Sequence, residues 1–350
     1  MKALFPLGFA LAALVSAPFP GAAQNAAPPV ETGAAPAAPV QSPAPGAPPA
    51  APKIDTPPSE DSRLAWHENY DTARQKAAAA GKDLLVVFTG ADWIEMCKIF
   101  DRDILFQTNF TDVILPKFEL VRLDFPKQTP QSAKLKSQNQ LLMRAYRVTG
   151  FPTVILTDVE GRPYGVNGYQ PLTPSKYAQI IDAMRQTRVI RDRFFEKAEA
   201  AAGVEKAKLL VQGIPNLPGN LPARYYRAQL DAVIANDPDN STGKVTLYRR
   251  FIADVEYSDT MAKLSRNLEW SGMLETTDAY IRDNNLQGGE RQQALFNKVG
   301  VYQKQSRLED MVRTLLEIRK IDEKSPHAKR AQEVLDNLRA NKLQQDLNIR

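Results

Sequence analysis

Residues 59–186 switch repeatedly between helical and strand-like hydrophobic spacing, and this alternation limits the folds open to the chain more than any other feature. Leu84 to Phe88 is an unbroken apolar run too short for a helix, which suits a strand buried on both faces. Before it, Trp66, Tyr70, Ala73 and Ala77 recur at helical spacing and Gly81 supplies a C-terminal cap, so a helix is predicted over 64–80. After it, Thr89-Gly90-Ala91-Asp92-Trp93 reads as a short turn into a helix over 94–106, with Met96, Cys97, Phe100 and Ile104 at helical intervals. A strand is expected at 118–124, then a helix marked by Leu135, Leu142, Ala145 and Tyr146 and ended by Gly150, then a β-branched strand at 153–157. Asp158-Val159-Glu160-Gly161 has hairpin-turn composition and leads into a last strand at 162–168. Thr173 and Pro174 open a closing helix carrying Tyr177, Ile180, Ile181 and Met184. Helix, strand, helix, strand, helix, strand, strand, helix is the order of an α/β domain, a mixed sheet flanked by helices.

From 187 to 350 the spacing is helical throughout and the expected domain is all-α. Tyr226, Leu230, Val233 and Ile234 form one stripe, Leu295, Val299 and Tyr302 another, and Leu308, Met311, Val312, Leu315 and Ile318 a third. Breaks at Gly288-Gly289, Gln305-Ser306 and Ser325-Pro326 are short, so neighbouring helices should run antiparallel as stacked hairpins. Residues 290–327 resemble a tetratricopeptide-type unit in outline, but the small-residue positions are partly filled by Val312 and Arg319.

The N-terminus reads as an export signal over 1–23: Lys2, an apolar run from Leu4 to Ala17, then small residues around Gly21, Ala22 and Ala23. That run is too short to span a bilayer, so no integral span is expected after cleavage. Residues 24–58 hold 11 Pro and 10 Ala, cannot bury a core, and are expected to act as an extended, disordered linker. The sequence thus divides into 1–23, 24–58, 59–186 and 187–350, and the protein is expected in the periplasm or outside the cell.

One cysteine among 350 residues excludes an intramolecular disulfide framework. With two distant histidines it cannot complete a structural zinc site, so no metal or other cofactor is expected. The formal charge of +5 is diluted: residues 188–350 carry 27 Lys and Arg against 23 Asp and Glu. That pattern is a solvated surface rather than a nucleic-acid stripe. His67 and His327 show no metal spacing and are expected at the surface or partly packed.

The order of elements resembles the thioredoxin fold, and particular residues carry the resemblance. Phe88-Thr89-Gly90-Ala91-Asp92-Trp93 lies where thioredoxin-like proteins pass from the central strand into the active-site turn, and Gly150-Phe151-Pro152-Thr153 matches their cis-proline loop. Asp124-Phe125-Pro126, Gln138-Asn139 and Gly168-Tyr169 further resemble a secreted bacterial subgroup whose turn begins Thr-Gly-Ser-Asp-Trp. The likeness spans 59–186. It implies a surface beside Trp93, Phe151 and Pro152 that takes an extended peptide as an added strand.

The chain departs from that family at the chemistry. Active members carry Cys-x-x-Cys after the tryptophan; here the run is Trp93-Ile94-Glu95-Met96-Cys97. Ile94 stands in the position of the attacking cysteine, where a helix N-terminus would stabilise a thiolate, and Cys97 in that of the resolving one. Asp92 and Glu95 add negative charge that is expected to disfavour a Cys97 thiolate. The buried acid of thioredoxins falls on Val87, in a strand without ionisable groups over 84–88. Cys97 is either an inert buried side chain or a monothiol that forms mixed disulfides. Trp93 is either a contact residue or packing, and Phe151 and Pro152 either a fold-determining turn or a peptide site as well. The expectation is a binding or scaffold module with a protein or extended-peptide partner. The alternative is a monothiol thiol-disulfide oxidoreductase or isomerase acting through Cys97.

Overall fold

The structure, a computed structural model, describes residues 59–348. The expected signal (1–23) and Pro/Ala linker (24–58) lie outside the described residues. The described chain forms two compact units that divide between Val245 and Thr246.

In the first unit the elements run α1 (Glu60–Leu64), β1 (Trp66–His67), α2 (Tyr70–Ala80), β2 (Asp83–Thr89) and α3 (Glu95–Phe100), which continues as a π-helical turn over Asp101–Leu105. Then come α4 (Thr108–Ile114), β3 (Phe118–Asp124), α5 (Ala133–Ala145), β4 (Thr153–Thr157), β5 (Pro163–Gly168), α6 (Pro174–Glu199), α7 (Gly203–Gly213), α8 (Leu221–Tyr225) and α9 (Arg227–Asn236). The sheet order is β1-β3-β2-β4-β5, with β1 and β2 parallel to β3, and β4 antiparallel to both β2 and β5.

β2 lies at the centre and explains its own sequence. Leu85 and Val87 face one core with Phe100, Ile104, Phe110, Leu120 and Tyr177, while Leu84, Val86 and Phe88 face another with Tyr70, Ala73, Ala77, Val121 and Tyr146. A strand packed on both faces has no position left for a solvated side chain, so the run is continuous rather than alternating.

The helix expected over 64–80 is interrupted. Trp66 and His67 pair with Leu120 and Val121 as an edge strand, and α2 begins only at Tyr70, where the Asn69 side chain accepts the Thr72 N–H at 2.9 Å. The helix expected to end at Gly150 closes earlier, at Ala145, with Arg147 in the left-handed region at φ 53°. α4 had no counterpart in the sequence reading; its buried Phe110 and Ile114 complete the core beneath α6.

Helix α6 is 26 residues long, with Thr173 accepting the Lys176 N–H at its start. Tyr177, Ala178 and Ile181 pack on the sheet, and the helix then runs on through the 186/187 junction. Beyond it, Arg185 and Arg188 ion-pair with buried Asp83, and Arg191 with buried Asp158. Tyr226 accepts a hydrogen bond from Arg191 and donates one to the Pro163 carbonyl, which ties the start of α9 to α6 and to the start of β5. α7 packs on α6, and α9 on α7.

The second unit is helical: α10 (Val245–Arg266), α11 (Trp270–Asp283), α12 (Gly288–Lys304), α13 (Leu308–Ile321) and α14 (Pro326–Asn348). α12 packs on α13 and α13 on α14, around Leu295, Val299, Met311, Leu315, Ile318, Ala331 and Leu335. The Tyr257 and Tyr280 rings stack at 4.0 Å in a smaller cluster with Leu286 and Ala294.

Candidate functional site

The turn after β2 is built on Gly90, whose carbonyl accepts the N–H groups of Trp93 (3.1 Å) and Ile94 (2.8 Å). A Cβ on residue 90 would stand 2.7 Å from the Trp93 indole nitrogen, so only glycine lets the ring lie back across the turn. Trp93 Nε1 donates to the Phe125 carbonyl at 2.9 Å, and the Lys127 ammonium sits 3.5 Å over the ring. Asp92 clamps the same loop, since its carboxylate accepts the backbone N–H groups of Lys127, Gln128 and Thr129. Those bonds hold its carboxyl below the usual range against the cost of desolvation.

The Phe151–Pro152 peptide bond is cis. Phe151 packs edge-on to Trp93 at 6.4 Å and stacks on Phe125 at 4.9 Å. Trp93, Phe125 and Phe151 thus form one aromatic ledge, continued inward by Phe88, with Trp93 38% exposed and Phe151 and Pro152 half-buried. Three of the four residues singled out from the sequence therefore reach the surface here.

Cys97 does not. Ile94 is the N-cap residue of α3, and Cys97, one turn further in, has no exposed surface. Burial pushes its thiol up, and the carboxylates of Asp101 and Asp124 add to this, while the Thr89 side chain and Gly90 backbone oppose it. Asp92 and Glu95, the acids expected from the sequence to disfavour the thiolate, are not the source of this charge effect. Asp92 is spent on the 127–129 backbone, and Glu95 is exposed and pairs with Lys98 at 3.4 Å.

With Val87 in place, residues 84–88 of β2 carry no acid beneath the turn, but acids arrive there from elsewhere. Asp101, on the π-helical turn, is 6% exposed and ion-pairs with Arg122 at 2.9 Å; Arg122 also reaches Asp124 at 3.1 Å. Arg122 and Asp124 stand beside Val87 and Thr89 in register, on one face of the sheet. Burial raises the Asp101 carboxyl against the pull of Arg122. Asp101 Oδ1 and Arg122 Nε are buried without hydrogen-bond partners. No sequence signal marked this cluster, because Asp101 reads as an ordinary helix residue until the fold brings β3 beneath it.

Gln138 and Asn139 have structural work. Gln138 accepts the Tyr70 N–H and donates to the Glu68 carbonyl, and buried Asn139 donates to the Asp124 carbonyl at 2.8 Å. His67 bonds Glu119 at 3.0 Å, and His327 packs edge-on to Phe296. Among the described residues no three His, Cys, Asp or Glu side chains gather as a metal cluster, and no helix is long and apolar enough to cross a membrane.

An α/β unit with this sheet order, a turn ending in tryptophan and a cis-proline loop beside it defines a thioredoxin-like domain, and residues 65–158 match the family model described as thioredoxin-like. That segment of the chain is a thioredoxin-like domain. The chain is 29% identical over 133 residues to the disulfide bond reductase DsbH of Chlamydia pneumoniae, a match covering 38% of this chain and 80% of that protein. It is 30% identical over 112 residues to the thioredoxin-related protein DsbJ of the same organism, covering 32% of each, so the match spans about a third of DsbJ. A solved DsbH oxidoreductase structure is 29% identical, with a TM-score of 0.32, covering 34% of this chain and 82% of that one.

Proposed function

We propose that this chain is an exported thioredoxin-like protein whose turn binds an extended protein segment without dithiol exchange. The observation that carries the reading is the burial of Cys97, with no exposed surface, under a turn whose N-cap residue is Ile94. Disulfide exchange needs a thiolate that can meet its target, and here the surface position lacks sulfur while the sulfur lacks access. The monothiol alternative through Cys97 meets the same obstacle.

The aromatic ledge supplies what a binding role needs. Trp93, Phe151 and Pro152 offer apolar surface beside backbone that an extended segment can pair with, in the manner of strand addition. The apolar run over 4–17 and the small residues after it support export, and the Pro/Ala tract suits a spacer between an attachment point and the folded units. The helices of 246–348 fit an interaction scaffold. Reductase activity, in the name of DsbH, is said of that protein.

The test is insulin-disulfide reduction. The purified protein is expected to leave insulin intact where an ordinary thioredoxin reduces it, and a comparable rate overturns the proposal. Ile94→Cys restores a Cys-x-x-Cys pair; the new thiol is expected to form a disulfide with Cys97 and to confer measurable reduction.

A further inference from the structure

Helix α13 turns Met311, Thr314, Leu315 and Ile318 into the core of the second unit, yet it carries a second apolar row. Leu308, Val312 and Leu316 follow at four-residue intervals, a slanting ridge on the helix surface. Leu308 is 54% and Leu316 38% exposed, and with Val312 between them they form an open, shallow apolar surface bordered by Glu309 and Arg313. Glu309 and Arg313 form the adjoining four-residue row, on the side away from the core; both are exposed.

We infer that this face is covered by the same face of a second copy of the chain, packed antiparallel. A two-fold axis at Val312 makes the ridge complementary to itself: Leu308 stands level with Leu316 of the second copy, and Val312 meets Val312. The same axis sets Glu309 about 3 Å along the helix from Arg313 of the second copy, and Arg313 likewise from the other Glu309. Two opposite-charge pairs then flank the apolar row. An unrelated helix would have to supply a matching acid and base; the second copy does so by symmetry. Arg313 is free to take this role, since its contact with Asp310 of its own helix is loose, at 3.6 Å, and exposed.

Sedimentation velocity of the full chain, from low to high micromolar concentration, tests the inference. A reversible rise to twice the chain mass is expected, with Leu308→Glu holding the protein at monomer mass. Glu309→Arg and Arg313→Glu should each raise the dimer dissociation constant about fivefold or more, and the combined variant should return to within about twofold of the parent. Circular dichroism checks that each variant is folded. Glu309 and Arg313 lie at the surface, so the charge exchange decides the matter even if Leu308→Glu does not fold. Monomer mass at every concentration overturns the inference, and so does a dimer indifferent to all the changes.

Discussion

At the start of β2 the first unit buries Asp83 and Asp158 with counter-charges at hand: Arg185 and Arg188 for the one, Arg191 and Arg162 for the other, with the Tyr164 hydroxyl donating to Asp83. At the other end of the same strand, under the turn, Arg122 serves two carboxylates, and one buried polar atom each of Asp101 and Arg122 has no hydrogen-bond partner. Buried polar groups are normally satisfied, because an unpaired one forfeits its hydration. The contrast teaches that one end is a lock and the other a place where stability has been conceded. Exposed aromatic surface lies at the conceding end, where Trp93, Phe151 and Pro152 meet.

The sharpest way to break this comparison is at the lock. Arg191, 1% exposed, pairs with Asp158 at 2.7 Å and bonds the Tyr226 hydroxyl at 3.0 Å. Arg191→Ala takes one of two arginines from the buried Asp158 carboxylate and the donor from the Tyr226 hydroxyl, and is expected to cost about 3–5 kcal/mol in urea unfolding. A loss under about 1 kcal/mol would show that the charges at this end are not what holds α6 to the sheet.

Cys97 gives the next effect. Its thiol is expected to react with an alkylating reagent at neutral pH on the order of a hundredfold more slowly in the native protein than in the unfolded chain. Cys97→Ala should cost only about 1 kcal/mol, the loss of one buried sulfur. Native reactivity equal to that of the unfolded chain would place the thiol within reach of a target and revive the monothiol reading.

Asp101 sharpens the comparison through pH. Its carboxyl is raised in the folded state, chiefly by burial, so it favours the folded state most below the ordinary aspartate value of about 3.9. That contribution is lost as pH climbs through the raised folded value. Asp101→Asn removes the loss, whatever constant offset the change brings. The stability of Asp101→Asn relative to the parent should therefore increase as pH rises from about 4 toward neutrality, read from denaturant midpoints across pH. A pH-independent difference would mean that Arg122 fully compensates the buried carboxylate. The smallest stability effect belongs to Trp93→Ala. With the ring 38% exposed, about 1 kcal/mol or less is expected, together with weaker capture of an extended peptide; unchanged capture would assign Trp93 to packing.

Much of the first unit was legible because its signals are local. A continuous apolar run can only be a buried segment, Thr173-Pro174 is a helix start in itself, and Ile94 in the place of a cysteine is visible without coordinates. Trp66 and His67 were misread as helix because their strand is made by β3, more than fifty residues away, and helical spacing cannot reveal a distant partner. The end of the first domain was set at 186 because the mixed period stops there, although α6 does not. What carries that helix onward is a row of arginines at 185, 188 and 191, which reads as solvated surface until Asp83 and Asp158 are found beneath it.

The sequence by itself determined the strands β2 to β5, the helices α2, α3, α5 and α6, the thioredoxin-like turn, and the absence of a second sulfur, since each is written in neighbouring residues. Only the tertiary structure decided that Cys97 is sealed from solvent, that Asp101, Arg122 and Asp124 meet beneath it, and that Trp93 and Phe151 share one ledge. Burial and charge pairing depend on which distant segments are brought together, and a linear pattern records the residues without recording those meetings.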